Sequence, residues 1–273
     1  MKMLDRLRKL PPYVALSLYS LVLLVPLFWM VMASVKPRNE LFGKPFNLPS
    51  VIDWGGYQRA VAGGLFHYMM NSVIVTVSAV VITLIVGGLA AYALARMQFI
   101  GRNVIYAIII ASYAIPMHGI LVPLYDTLVF FKLTNTYLGM ILPYVTFGLP
   151  FSVMILYAFL IDFPGEIVEA ARIDGSSEIG ILWRIVVPLS MPAIVSVAIF
   201  QGVAFWNEFL LALITISDDS LKTIPLGLVA FKGRYVTDWT AILASITITS
   251  LPILILFIIF QRQFIRSLGG YGK

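Results

Sequence analysis

The 273-residue sequence contains no cysteine and few charges. The missing thiols exclude disulfides, thiolate metal sites and cysteine nucleophiles, and they leave the redox compartment open. Charged residues make up 12% of the chain, well under the ~25% of an average soluble domain. No G-x-x-x-x-G-K-[ST] phosphate loop is present: Gly272-Lys273 lacks both the upstream glycine at the right spacing and a following hydroxyl residue. The two histidines, His67 and His118, are far apart, and no H-E-x-x-H or similar spacing occurs, so no metal site is expected. The serines have no His and Asp partners in a recognisable motif. Nothing therefore points to a hydrolase or to any catalytic residue, and the chain is read as not being an enzyme.

What the chain does have is apolar length. It is 60% hydrophobic, with a mean hydropathy of +0.95, which makes it an integral membrane protein. The net charge of +6 is then read as basic anchors at membrane edges, not as a nucleic-acid footprint. The basic start, MKMLDRLRKLPP, leads into a 23-residue apolar run, Tyr13 to Val35. That is longer than the ~7–15 residues of a secretory signal core, so a retained anchor is expected.

A span needs about 20 apolar residues. Six segments qualify, at about 13–35, 70–95, 103–125, 137–161, 189–216 and 239–261. The expected fold is an all-α integral membrane protein with six transmembrane helices in one domain over residues 1–273. Six spans put both termini on one side. With that side cytoplasmic, its shorter segments hold eleven basic residues against eight outside. The positive-inside rule therefore favours cytoplasmic termini in the cell (inner or plasma) membrane.

Between spans four and five lies a segment too polar to cross, residues 164–188. Pro164 suits the first turn of a helix, and Glu166 and Glu169 favour its positive end. Gly175 can break the helix at no steric cost. Asp174 is expected to cap the next helix, and Glu169 and Arg172 are spaced to pair on the surface. The product is a helix–turn–helix bracket with small and acidic residues accessible. An ordinary amphipathic interfacial loop is the rival reading. Such helices are usually basic, whereas this one carries Glu166, Glu169, Asp174 and Glu178 against Arg172 and Arg184, and anionic lipid would repel it.

Within the expected spans Glu208 is the only acidic residue. Ser190, Ala193, Val197, Gln201, Ala204 and Glu208 form one helical stripe of small or polar residues that should face protein or water. Gln201, Trp206, Asn207 and Glu208 are candidates for lining a pathway, and a structural hydrogen bond from Glu208 to a neighbouring helix is the alternative. Pro116 and Pro123 around His118 suggest a bent third span.

The bracket resembles a known family. Glu169-Ala170-Ala171, Asp174-Gly175, Ile185 and Pro188 are similar to the EAA signature of ABC importer permeases, with Val187 where leucine usually precedes the proline. AAYALAR at 90–96, FWNEFLLAL at 205–213, KTIPLGL at 222–228 and FQRQFIRSL at 260–268 resemble the carbohydrate-uptake branch, closest to the smaller maltose-type permease subunit. The resemblance implies a type I importer permease fold. It also implies that Glu169, Ala170, Ala171, Asp174, Gly175, Ile185 and Pro188 couple to an ATPase subunit pair, which binds the ATP and Mg. It further implies a second homologous permease, an extracytoplasmic solute-binding protein, and a sugar or polyol as cargo moved by alternating access. The chain itself would hold no cofactor. The tail from Gly269 to Lys273 departs from the family's glycine-rich end and is assigned no contact. An ion-coupled secondary carrier is the runner-up; it would need buried ionisable pairs or broken-helix ion sites.

Overall fold

The computed structural model of the chain describes residues 2–162, 165–232 and 237–268. Pro164 and the Gly269–Lys273 tail lie outside the described residues. Fourteen α-helices occur among them. They are α1 (Lys2–Ser34), α2 (Arg38–Gly43), α3 (Gly55–Ala62), α4 (Leu65–Arg96), α5 (Arg102–Ser112), α6 (Leu121–Phe130) and α7 (Tyr137–Ile161), then α8 (Gly165–Ile173), α9 (Glu178–Ile181), α10 (Val187–Leu189), α11 (Met191–Trp206), α12 (Leu210–Thr215), α13 (Ile224–Gly227) and α14 (Trp239–Leu268). No strand occurs among the described residues beyond an isolated bridge between Lys232 and Thr237. In lipid only backbone that satisfies itself can cross, and helices do so within one segment.

Four helices are long and apolar enough to span: Pro12–Ser34 of α1, α4, α7 and Trp239–Gln261 of α14. The count reaches six if two bent pairs each count as one span. The first pair is the bend that Pro116 and Pro123 suggest in the third span, and the second corrects the expectation of an unbroken fifth span over 189–216. Arg102–Ser112 and Met117–Phe130 meet at 86°, and Glu178–Leu189 and Met191–Trp206 meet at 74°. The first bend falls where Pro116 lacks an N–H, as its position suggested. Its second limb also runs past the expected end at 125, so that Asp126 lies inside α6. The fifth span does not reach 216 unbroken: α11 stops at Trp206, and α12 begins at Leu210.

The contacts group the chain into two units, Met1–Phe66 with Leu228–Leu251 and His67–Gly227 with Pro252–Lys273. In the first, Lys36 is fully buried, and its Nζ donates to the carbonyls of Lys44 at 2.8 Å and Pro45 at 2.9 Å. The Trp29 indole donates to the same Pro45 carbonyl at 2.9 Å. A pair of hydroxyls, Ser34 Oγ and Tyr57 OH, meets at 2.7 Å. Arg59 on α3 binds Asp238 (2.6 Å) and Thr240 (2.7 Å) at the start of α14.

Two clusters form the core of the second unit. One gathers Val75 and Ala79 of α4, Met140, Ile141 and Tyr144 of α7, Phe205 of α11, and Leu211 and Ala212 of α12. The other gathers Ala91 and Tyr92 of α4, Leu156 and Leu160 of α7, Val168 and Ala171 of α8, and Ile181 and Leu182. Lipid tails are as apolar as leucine, so burial alone does not drive these contacts within the bilayer. Close packing and interhelical hydrogen bonds, averaging ~0.6 kcal/mol each, decide them.

The Asp238 carboxyl is pushed up by its partial burial. The Arg59 guanidinium, the Ala241 amide and the Thr240 hydroxyl together outweigh this and bring it down to about 2. A depressed carboxyl contributes stability above its unfolded value and loses it as pH falls through the folded one. Discounted for exposure, Asp238→Asn should cost about 1 kcal/mol at pH 7. The gap between variant and parent in thermal melts should close as pH drops from about 4 toward 2.

Candidate functional site

The bracket begins with α8, nine residues long. Its Val168 and Ala171 are buried against α4 and α7, so Glu169, Ala170, Asp174 and Gly175 are left on the open side, all exposed. Of the EAA residues, then, Ala171 is packed inward while Glu169 and Ala170 face out. The helix ends in a Schellman turn: Ser176 N–H donates to the Ala171 carbonyl and Gly175 N–H to the Arg172 carbonyl, each at 3.0 Å. Gly175 sits at φ +80° with nothing near a would-be Cβ. Glycine is required there by the left-handed backbone, not by crowding.

Two expectations for this segment are corrected. The cap of α9 is Ser177, whose Oγ accepts from the Gly180 N–H at 3.2 Å, and not Asp174. Asp174 precedes the left-handed residue and is too early in the turn to reach the amides of α9. Arg172 pairs with Glu178 at 2.7 Å instead of Glu169, because the reversal at Gly175 folds α9 back beside α8. The hydrogen bond to Glu178 raises the Arg172 guanidinium above its usual value. Glu178 Oε2 also accepts from the Tyr92 hydroxyl of α4 at 2.9 Å. Tyr92 and Glu178 are thus site residues that spacing along the chain did not reveal; 86 residues separate them.

From α9 the chain passes through a π-helical turn, Leu182–Val186, whose closing N–H, that of Val187, reaches the Leu182 carbonyl. Pro188 has no N–H to offer the Arg184 carbonyl, and the widened turn shifts the hydrogen-bond register around that gap. Ile185 is half-buried and Pro188 exposed. The 74° bend into α11 follows at Ser190.

A second polar cluster lies on α7, α11 and α12. Gln201 is buried, and its Nε2 donates to the Gly148 carbonyl at 2.9 Å. A Cβ at position 148 would stand 2.9 Å from the Phe205 ring, so glycine lets α11 come this close. Glu208 is half-buried: Oε1 accepts from Leu211 N–H at 2.9 Å, and Oε2 from Ala212 N–H at 3.3 Å and Tyr144 OH at 2.9 Å. The carboxylate thus caps α12 and ties it to α7, the structural alternative raised from sequence. Tyr144 stacks on Phe205 at 5.0 Å. Trp206 is buried, whereas Asn207 is exposed and donates back to the Val203 carbonyl at 2.8 Å. Along the stripe, Ser190, Ala193, Val197 and Gln201 are buried as expected, but Ala204 is exposed.

Residues 83–270 match the family described as binding-protein-dependent transport system inner membrane component. The chain is 37% identical to the probable ABC transporter permease protein YurM of Bacillus subtilis, covering 94% of this chain and 86% of that one. It is 35% identical to the diacetylchitobiose uptake system permease protein NgcG of Streptomyces coelicolor, covering 93% and 85%. It is 30% identical to the trehalose/maltose transport system permease protein MalG of Thermococcus litoralis, covering 92% and 91%. Among solved structures, a chain of a bacterial ABC transporter involved in import of the acidic polysaccharide alginate superposes with a TM-score of 0.81 at 22% identity, covering 95% and 97%.

Tyr92→Phe keeps the ring and removes one hydrogen bond to an exposed carboxylate, a loss of about 1 kcal/mol. Amide hydrogen exchange in α8 and α9 should speed up several-fold while exchange in the middle of α7 stays as it was. Unchanged exchange in the bracket would show that the Tyr92–Glu178 contact holds nothing.

Proposed function

Since the chain belongs to the binding-protein-dependent transport system inner membrane component family, we propose that it is the permease subunit of an ATP-driven importer for a sugar or related polyol. It is a multi-pass, all-helical ABC transporter permease with the type I importer fold, a non-catalytic membrane subunit. Relatives named for diacetylchitobiose, trehalose/maltose and arabinooligosaccharides support the carbohydrate class. The proposed partners are a pair of ATPase subunits that bind ATP and Mg, a second homologous permease, and an extracytoplasmic solute-binding protein. A solved relative in complex with an alginate pentasaccharide-bound periplasmic protein supports the last of these. The proposed orientation has both termini in the cytoplasm.

The observation that carries the mechanism is the bracket itself. Its inner side is packed on α4 and α7, and its outer side presents Glu169, Ala170 and Gly175 to whatever docks there. Closure of the ATPase pair moves α8 and α9. The motion passes through Ile185 and Pro188 into the α10–α11 bend, and the pathway changes the side to which it opens. Gln201, Trp206, Asn207 and Glu208 are proposed to build the wall beside the pathway. Ion coupling gains no support, because the Glu208 oxygens are already engaged by protein donors.

In the reconstituted complex, Glu169→Lys and Gly175→Pro should each abolish uptake and cut binding-protein-stimulated ATP hydrolysis at least ten-fold, while the unstimulated rate of the ATPase pair survives. Stimulation left intact in both would end the coupling role. Glu208→Gln should leave solute preference unchanged and lower the melting temperature, since only one of its two acceptor oxygens remains. A changed solute preference would place Glu208 on the cargo itself.

A further inference from the structure

The loop that follows α1 is laced back onto that helix. Asp53 N–H donates to the Val35 carbonyl at 2.8 Å, so residues 36–52 start and finish at the end of α1. The middle of the loop is tied lower down. The Pro45 carbonyl accepts from Trp29 Nε1 and from Lys36 Nζ, each at 2.9 Å, and the Lys44 carbonyl accepts from Lys36 Nζ at 2.8 Å. A cross-tie joins the Glu40 carboxylate to the amide and hydroxyl of Ser50.

These bonds set a depth. The apolar part of α1, Pro12–Ser34, has 23 residues. That is ~34 Å of helix against a hydrocarbon core of ~30 Å. Ser34 therefore stands at the hydrocarbon boundary, and Trp29 lies ~7.5 Å back along the helix, inside it. Held between Trp29 and Lys36, Pro45 sits at the boundary itself. Its carbonyl and that of Lys44 are met by protein donors, as backbone short of water requires. Three large apolar side chains flank Pro45 and stand out from the protein: Phe42, Phe46 and Leu48 are 64%, 84% and 73% exposed.

The charges of the loop sort in the same way. Glu40 turns to Ser50, and Asp53 Oδ1 accepts from Gly55 N–H at 2.7 Å, whereas Arg38 and Lys44 are exposed. The outward charge is therefore positive. An apolar tip with a cationic rim, continuous with the lipid-length surface of α1, matches the boundary between acyl chains and headgroups. Apolar side chains insert there and cations meet phosphate.

We propose that the 36–52 loop is a membrane anchor: Phe42, Phe46 and Leu48 enter the leaflet beside the C-terminal end of α1, and Arg38 and Lys44 meet lipid phosphates. On the proposed orientation this is the outer leaflet. The anchor holds the end of α1 at a fixed depth. It does not depend on what the protein carries.

The chain has no cysteine, so a nitroxide on a single introduced cysteine reports alone. Labels go on Phe46→Cys and Leu48→Cys, with Val22→Cys in mid-span and Asn39→Cys as the hydrocarbon and water references. Collisions with oxygen, which concentrates in lipid, and with a water-soluble nickel chelate are measured in phosphatidylcholine nanodiscs. The full-length chain is measured alone and in the assembled importer. Positions 46 and 48 should favour oxygen in both samples, with nickel contact several-fold below that at 39. The double variant Trp29→Phe with Lys36→Met should raise nickel contact at 46 several-fold and leave position 22 unchanged. Arg38→Glu with Lys44→Glu should shift 46 toward water. Nickel contact at 46 and 48 equal to that at 39 would overturn the anchor. Loss of contact with both reagents in the assembled importer would assign the loop to a subunit interface and overturn it too. A depth unmoved in the Trp29 and Lys36 variant would show that the bonds to Pro45 do not set it, and one unmoved by the two glutamates would strike out the phosphate contacts. No step requires transport, so the anchor can fail while the importer reading stands.

Discussion

A backbone amide or carbonyl in hydrocarbon has no water to turn to, so every interruption of a helix at membrane depth must be repaired by protein. The breaks in this chain differ in how that is done. At 206–210 a side chain does it. Glu208 accepts from the first amides of α12 and leaves its charge facing N–H groups and a phenol instead of lipid. At 182–190 the backbone repairs itself: the π-turn moves the hydrogen-bond register past Pro188, and Ser190 N–H returns to the Val186 carbonyl at 2.8 Å. At 112–117 the chain uses short i to i−3 bonds, Ile115 to Ser112 and Tyr113 to Ile110. The fold can bend where it does because each bend has its own supply of donors and acceptors.

The same accounting explains the stiffness of the bracket. A six-to-one and a five-to-two bond close α8, Ser177 caps α9, and Glu178 holds Arg172 and Tyr92 with its two oxygens. Exposed ion pairs contribute little when isolated. This one is anchored on one side by a hydroxyl from a membrane helix, so its geometry is set by the core and not only by two long side chains. Val168, Ala171 and Ile181 then fix the other face against α4 and α7. A short segment held this way suits the coupling role proposed for it.

Much of the fold was legible in the sequence. Apolar length located α4, α7 and the spanning parts of α1 and α14 to within a few residues, because a bilayer imposes a minimum run and tolerates little charge within it; the polar extensions of α1 back to Lys2 and of α14 on to Leu268 carry no such signal. The left-handed turn at Gly175 could be read because glycine between two polar helical pieces has few other uses. What could not be read depended on contacts across the chain. Asp174 looked like a cap by composition, but Ser177 has that role because the Schellman turn uses up three residues before α9 starts. Glu169 looked like the partner of Arg172 by helical spacing, but the reversal brings Glu178 closer. The end of the fifth span was hidden because 189–216 is apolar almost throughout. Only the position of Glu208 next to the α12 amides reveals the break. Tyr92 sits in the family-like run AAYALAR, but nothing local to it pointed to Glu178.

The placement of Tyr92 bears on how force would travel. Had the bracket met only α7 and the π-turn, a push on α8 would reach the fourth and fifth spans and leave α4 to follow by packing. The hydroxyl bond from Tyr92 to Glu178, with Ala91 and Tyr92 in the same buried cluster as Val168 and Ala171, connects the end of α4 to both bracket helices directly. A displacement of Glu178 therefore draws on α4 through Tyr92 and on α8 through Arg172 together. Packed helices move as bodies because close-packed side chains have few intermediate arrangements. In the proposed cycle α4, α7 and α11 would then move together, and the 74° bend at Ser190 is where the motion changes direction.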